Sequence, residues 1–140
     1  MWDYMKRLQY PVNIKKGDPK LAMYVISQYG GPDGELGASL RYLSQRYSMD
    51  DPVCKALLTD IGTEELGHLE MVGTIVHQLT RGLTTGEIEK SPMGAYFIDH
   101  GKGVYLNSAG GTPWSAQTVA VKGDVIADLT ENLAADGAIL

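Results

Sequence analysis

The sequence has one cysteine, Cys54, and no apolar run long enough to cross a bilayer. A single cysteine excludes an internal disulfide and favours a reducing compartment. The first residues carry mixed charge and no apolar segment of the secretory type, so we expect no signal peptide and a cytoplasmic location. The formal net charge of -5 argues against nucleic acid as a partner. We therefore expect neither a membrane nor a nucleic-acid partner.

The composition is that of a soluble globular domain. The 140 residues are 44% hydrophobic and 21% charged, with no internal repeat and no low-complexity tract. This length suits one domain covering residues 1–140. The 17 glycines are many for a chain whose periodicity is helical throughout.

Two Asp-Pro pairs mark helix starts, because aspartate caps a helix and proline fits its first position. They are Asp18-Pro19 and Asp51-Pro52. Residues 1–17 precede the first pair and are predicted to be an extended arm, since Tyr10-Pro11 disfavours helix. Residues 18–83 are predicted to be a helical hairpin. Its segments run from Pro19 to Gly30, from Pro32 to about Tyr47, and from Pro52 to Leu83.

The remainder of the chain contains one further helix of ordinary length. Residues 84–123 are rich in glycine and proline and are predicted to be a long irregular connection with a short helix near Glu87. A last helix is predicted over residues 124–136, with Asp124 as its cap and Gly137 ending it. The fold class is therefore all-α.

The third helical segment carries a stripe that mixes apolar and metal-binding residue types. Its members are Leu57, Ile61, Glu65, His68, Val72, Val76 and Leu79. Steps of three and four residues place all of them on one face of a helix. Glu65 and His68 are therefore expected to project from the middle of an apolar face.

Glu65 and His68 are candidates to bind one metal ion or a bridged pair. Carboxylate and imidazole together suit manganese, iron or zinc. Glu35, on the preceding helix, would be costly to bury without a cation. Ferritin-like di-metal bundles combine single Glu residues with Glu-x-x-His pairs in this way. The alternative is that Glu65 and His68 pair structurally, with each other or with a buried arginine.

Four other titratable residues are not expected to be ligands. Glu64 and Glu70 fall beside the stripe and are predicted to be solvated, His77 lies half a turn away from His68, and His100 is predicted to be a surface residue of the connection. Tyr42 follows Glu35 at a spacing of seven, so it either donates a hydrogen bond to a ligand carboxylate or belongs to the core.

Several segments resemble the manganese catalases, and in particular the short spore-coat branch of that family. The segments are Lys6–Tyr10, Gly30–Glu35, Arg41–Gln45, Asp60–Met71, Pro113–Ala116 and Gly123–Asp128. The resemblance implies a ferritin-like helical bundle with two manganese ions that disproportionates hydrogen peroxide to oxygen and water. Iron is the alternative metal. It also implies either a cytoplasmic or a spore-coat location.

The resemblance implies a role for each matching residue. Glu35 and His68 match metal ligands, Glu65 matches the carboxylate that bridges the two ions, and Tyr42 matches a tyrosine beside the site. Glu65 and Tyr42 are thus the implied catalytic residues. Asp136 stands where the family has a glutamate ligand on its third helix, and completes the implied ligand set.

The family's fourth helix, with a second Glu-x-x-His, has no counterpart in this sequence. We therefore expect a C-terminally truncated, incomplete bundle that holds half a site, and a homo-oligomer that brings two halves together. Three functions remain open: a manganese-catalase-like enzyme, a structural coat protein assembled with other spore-coat proteins, and a di-metal oxidase or storage site formed between two chains.

Overall fold

The computed structural model of the chain describes residues 3–94 and 107–138. Five helices lie wholly within these ranges, and the same ranges contain no β-strand. The helices are α1 (Pro19–Gly30), α2 (Glu35–Gln45), α3 (Pro52–Thr80), α4 (Thr85–Glu89) and α5 (Val125–Ala138). The prediction of an all-α fold is confirmed.

The two Asp-Pro pairs begin α1 and α3, as the sequence predicts. The Asp18 carboxylate accepts a hydrogen bond from the backbone N–H of Leu21. The Asp51 carboxylate accepts from the backbone N–H groups of Val53 and Cys54. Each cap satisfies donors that have no partner within the helix, which fixes where the helix starts.

Helix α2 begins at Glu35 and not at Pro32. Residues 31–34 form a turn in which the N–H of Gly34 donates to the carbonyl of Gly31 at 3.0 Å. Gly34 has an extended backbone and is the residue that precedes the first turn of the helix. The glycines on both sides of Pro32 favour this turn over an early helical start.

The ends of α3 and α5 also differ from the predicted positions. Helix α3 stops at Thr80, before Leu83, and Gly82 then turns the chain with a φ of +83°. Helix α5 continues through Gly137 to Ala138, so the prediction that Gly137 ends it is wrong. Glycine permits the left-handed conformation that ends a helix but does not impose it.

The core consists of two clusters that share α3. The first cluster contains Ala22, Ile26, Val76, Leu79, Ile88 and Met93, from α1, α3, α4 and the turn after α4. The second contains Ala38, Tyr42, Met49 and Leu58, with Cys54, Ile61 and Leu129 packed against it. Since Glu65 and His68 fall between Ile61 and Val72 on α3, they lie between the two clusters.

The apolar stripe on α3 is confirmed along most of its length. Val72, Val76 and Leu79 are buried, but Leu57 is 54% exposed, so its placement in the core is wrong. Leu58 takes that place, at 3% exposed. Near the start of α3, the buried face is therefore shifted by about one residue from the predicted stripe.

Residues 3–17 form neither helix nor strand and lie along α3. The Tyr4 hydroxyl donates to Glu70 at 2.5 Å, and the Gln9 amide donates to Glu64 at 3.1 Å. Further along, the N–H of Ile14 donates to the Gln78 side chain at 2.7 Å. This segment, residues 3–17, is called the arm below.

The predicted connection contains several local structures. Helix α4 starts with a capping box between Thr84 and Glu87, which matches the short helix expected near Glu87. Asn107 and Pro113 form an isolated bridge, and Ala116–Thr118 form one 3-10 turn. His100 lies outside the described residues. No described helix has the length and apolarity needed to span a membrane.

Substitution of Gly62 by alanine tests how tightly α2 packs on α3. A Cβ at Gly62 would lie 2.8 Å from Cγ of Leu43 and 3.1 Å from Cβ of Tyr42. Overpacking of this kind costs about 1–3 kcal/mol, against the roughly 1 kcal/mol that alanine gains in helix propensity. We expect Gly62→Ala to lower the melting temperature in circular dichroism.

Gly67→Ala is the matched control in the same helix. A Cβ there would meet only the end of the Gln9 side chain, at 3.1 Å, and that end can move. We expect this variant to melt at or above the wild-type temperature. Equal destabilisation by both substitutions would contradict close packing at Gly62.

Candidate metal centre

Glu35, Glu65 and His68 come together where α2 crosses α3. Glu35 is the first residue of α2, and Glu65 and His68 lie near the middle of α3. Their side chains are 15%, 14% and 33% exposed, so each retains only limited access to water. The small Gly62 on α3 contributes to this arrangement, because it lets α2 approach closely at Tyr42 and Leu43.

One ligand atom from each of these three residues lies within 4.8 Å of the other two. Nδ1 of His68 is 2.7 Å from Oε2 of Glu65 and 4.0 Å from Oε2 of Glu35. The described residues contain no other group of this kind. The predicted ligands Glu35, Glu65 and His68 thus share one location.

The electrostatics of the cluster favour a cation. Burial, a hydrogen bond with Glu65, and the charges of Glu65 and Asp136 together raise the pKa of Glu35 to about 8. Without a metal, the cleft therefore holds a proton on Glu35 near neutral pH. Two carboxylates and one imidazole are a donor set suited to manganese or iron, and a divalent ion would replace that proton. The residues fit such an ion.

Tyr42 and Asp136 form a hydrogen-bonded pair beside the cluster. The Tyr42 hydroxyl, in a residue only 2% exposed, donates to Oδ1 of Asp136 at 2.9 Å. Burial and this hydrogen bond raise the pKa of Tyr42. Asp136 does not belong to the group of three, although its charge contributes to the raised pKa of Glu35. The structure thus brings Asp136 to the tyrosine, at the edge of the cluster.

The residues predicted to lie outside the site behave differently from one another. His77 is exposed and does not join the cluster. Glu64 has a side chain 52% exposed, and its Oε1 lies 3.9 Å from Nε2 of His68. Glu64 is exposed, as predicted, while Glu70 is partly buried and accepts a hydrogen bond from Tyr4. Both carboxylates hold the arm against α3, because each pairs with one of its side chains.

The structure also bears on the alternative that Glu65 and His68 pair structurally. The buried arginine of this region, Arg41, pairs with Asp33 at 2.9 Å and not with Glu65. Glu65 and His68 do contact each other, at 2.7 Å. That contact leaves Glu35 buried beside a second carboxylate, so pairing alone does not neutralise the cluster.

The sequence interpretation overlooked three polar residues near the site. Gln45 and Asn132 bond to each other, and Asp128 accepts hydrogen bonds at the start of α5. The signal that would have found two of them is the spacing of four between Asp128, Asn132 and Asp136. This spacing puts a polar face on α5.

The family model for manganese-containing catalases matches residues 1–138 of the chain. The chain belongs to this family. The sequence resemblance is thereby confirmed, including the ferritin-like fold that it implies. Among sequence relatives, Protein CotJC of Bacillus subtilis is 48% identical over 136 residues, which are 97% of this chain and 71% of that protein. A manganese catalase of Bacillus subtilis is 32% identical, covering 97% of this chain and 55% of its own length.

Two solved structures of KatB, a manganese catalase from Anabaena, share the fold. One superimposes with a TM-score of 0.85 at 31% identity, covering 99% of this chain and 62% of KatB. The other gives a TM-score of 0.87 at 33% identity, with 98% and 61% covered. The chain thus spans a little over half the length of the catalases that it matches.

The raised pKa of Glu35 predicts how the stability of the metal-free protein depends on pH. Its folded pKa of about 8 lies above its ordinary value of 4.5, so this group stabilises the fold fully below 4.5. That contribution is lost as the pH rises through about 8. In the presence of a chelator, we expect the melting temperature of wild type to fall between about pH 5.5 and about pH 8.5 by more than the melting temperature of Glu35→Gln falls. Calorimetry at both pH values measures this difference.

Glu131→Gln is the matched control, because it makes the same chemical change at an exposed position of α5. It should follow wild type at both pH values. If Glu35→Gln also follows wild type, burial and the neighbouring carboxylates do not raise the pKa of Glu35.

Proposed function

We propose that the chain supplies one half of a dimanganese site that disproportionates hydrogen peroxide. The observation that carries the proposal is the cluster of Glu35, Glu65 and His68, whose ligand atoms lie within 4.8 Å of one another. Membership of the manganese-containing catalase family supports manganese as the metal and peroxide as the substrate. The same half site with iron is a variant of the proposal that metal analysis distinguishes.

Each residue has a proposed task. Glu35 and His68 would be metal ligands, and Glu65, which contacts both of them, would be the carboxylate shared between the two ions. Asp136 provides a further carboxylate at the edge of the site, and the hydroxyl of Tyr42 holds it in place. The proposed catalytic residues are thus Glu65, as the shared ligand, and Tyr42, as the hydrogen-bond donor to the Asp136 carboxylate.

The chemistry that a bound manganese pair would supply is the two-electron exchange by which two peroxides become oxygen and two waters. The protein must also bind and release protons during this exchange. In the metal-free protein Glu35 holds a proton near neutral pH, because its pKa is about 8, and binding of a metal ion there would release that proton. Burial of Tyr42 and Glu65 limits the water at the site and strengthens every charge interaction within it.

The other half of the site is proposed to come from a second copy of the chain, or from a further segment like the one that the longer relatives have beyond the matched region. The apolar stripe is a weaker argument for a dimer than the sequence suggested, since Val72, Val76 and Leu79 are already buried. Exposed apolar side chains lie instead at the start of α3 and on α5: Val53, Leu57, Ile126 and Leu133. Such a surface favours self-association.

A structural role in an assembly is the second candidate function. Two observations favour it: among the described residues only three ligands cluster, and the chain is 48% identical to Protein CotJC. A chain of this kind would keep the fold and bind metal without turnover, and would lie in the spore coat among other coat proteins. A di-metal oxidase or storage site between two chains would use the same ligands from each chain, with a different reaction or none.

His68→Ala tests the ligand assignment. We expect it to lower manganese bound per chain at least tenfold, since it removes one of three donors. Helicity should remain, because the neighbouring Val72 and Val76 keep α3 packed. Equilibrium dialysis with elemental analysis measures the metal. His77→Ala is the control, and it should retain full binding because His77 is exposed. Full binding by His68→Ala would refute the assignment.

Oxygen release distinguishes the two candidate functions. The manganese-loaded protein is fractionated by size with light scattering, and each fraction receives peroxide at an oxygen electrode. We expect release only from fractions of two or more chains, and none from His68→Ala. A folded oligomer that binds manganese and releases no oxygen favours the structural role. A folded monomer at micromolar concentration contradicts a site formed between chains.

A further inference from the structure

The polar face of α5 lies against α2. Asp128, Asn132 and Asp136 occupy this face at intervals of four residues, so they align along one side of the helix. Asp128 is fully buried and Asn132 is 7% exposed. A face like this is unusual in a helix that packs on a neighbour, because buried polar groups are costly unless all of them find partners.

Gln45 and Asn132 satisfy each other at the centre of this face. The Gln45 amide donates to Oδ1 of Asn132 at 3.1 Å, and the Asn132 amide donates to Oε1 of Gln45 at 2.7 Å. Gln45 also donates to the carbonyl of Ala120 at 2.9 Å. Gln45 is fully buried, so these bonds form where no water competes for them.

The hydrogen bond between Tyr42 and Asp136 is the next contact along the same pair of helices. Tyr42 precedes Gln45 by three residues, and Asp136 follows Asn132 by four, as expected for antiparallel helices. The contact between Tyr42 and Asp136 therefore lies one turn from the amide pair. It also lies one turn closer to Glu35.

A third contact holds the start of α5. The carboxylate of Asp128 accepts from the backbone N–H of Lys122 at 2.7 Å and from that of Gly123 at 3.1 Å. Gly123 has a φ of +78°, a conformation that favours glycine. Residues 120–123 are thus tied to both helices, through Ala120 to Gln45 and through Asp128 to α5.

Apolar contacts alone do little to fix the position of α5. Leu129 packs against the second core cluster, whereas Ile126 is 79% exposed and Leu133 is 76% exposed. Sliding α5 by one residue would rotate Asn132 and Asp136 away from their partners and leave buried amides unpaired. The amide pair therefore penalises every alternative register of α5 on α2.

We propose that Gln45 and Asn132 are positioning residues, which set the register of α5 so that Asp136 meets Tyr42 beside Glu35, Glu65 and His68. This inference rests on the proposed metal site, in which Asp136 supplies a carboxylate. It assigns a task to two residues that neither bind the metal nor contact the substrate. The amide pair acts on the site only through the position of Asp136.

Asn132→Leu tests this role, because leucine removes the amide pair while keeping a side chain of similar size. We expect manganese affinity, measured by calorimetric titration of the full chain, to fall about tenfold. Asp136→Asn should cause a similar loss. The double variant should be no worse than Asp136→Asn alone, since both changes act through one carboxylate.

Two controls separate positioning from general stability. Thr130→Gly weakens α5 at an exposed position and should lower the melting temperature without changing manganese affinity. The exchange Gln45→Asn with Asn132→Gln keeps both amides and their combined length, and should restore affinity relative to Asn132→Leu. Should Thr130→Gly reduce affinity as much as Asn132→Leu does, the amide pair has only a structural role and the proposal is overturned.

A measurement on the metal-free protein separates this proposal from the proposed function. We expect nuclear Overhauser contacts between the Tyr42 ring and α5 at Asp136 in wild type, in Thr130→Gly and in the exchange variant. They should be lost in Asn132→Leu. If they persist in Asn132→Leu, the amide pair does not set the register. A wild type that shows these contacts but binds no manganese retains the register and refutes the metal site.

Discussion

The contact between the carboxyl groups of Glu35 and Glu65 constrains the rest of the structure. Two carboxylates in a half-buried cleft repel each other, and the fold accepts them only with a proton on Glu35 or a cation between them. Core clusters on both sides of the cleft provide the packing energy that allows this. Helix α3 spans both clusters, so the strained position is supported from two directions.

The surroundings of this pair follow from the same constraint. Tyr42 contributes a neutral hydroxyl, which donates a hydrogen bond to Asp136. A carboxylate at the position of Tyr42 would add a further negative charge close to Glu35. Arg41, the buried cation in the same helix, forms its ion pair with Asp33 and not with Glu35 or Glu65. The balance is therefore completed by a proton on Glu35 or by a bound cation. Evolution of such a site toward stability alone would have replaced Glu35 with an apolar residue.

The sequence predicted the site better than its surroundings. Helical spacing was sufficient to place Glu65 and His68 together, and the cost of burying a carboxylate on the preceding helix without a cation indicated Glu35. Helix α2 starts at Glu35 and not at the predicted Pro32, because residues 31–34 form a turn between glycines. The spacing of apolar residues along the sequence does not show whether a turn or a helix forms at such a position. Gln45 and Asn132 were missed because a polar residue in a helix reads as exposed unless its partner, 87 positions away, is known.

The arm has a consequence for the order in which the chain folds. Its hydrogen bonds to α3 and to Arg81, the residue that follows α3, join residues separated by 55 to 67 positions, and they are made by single side chains and backbone groups. Contacts of that separation are costly in chain entropy until the helices between them have assembled. We therefore expect the arm to add its contacts after α3 has docked. Gln9 of the arm donates to Glu64, and Glu64 lies beside His68. The arm is therefore in contact with a residue at the edge of the candidate metal centre.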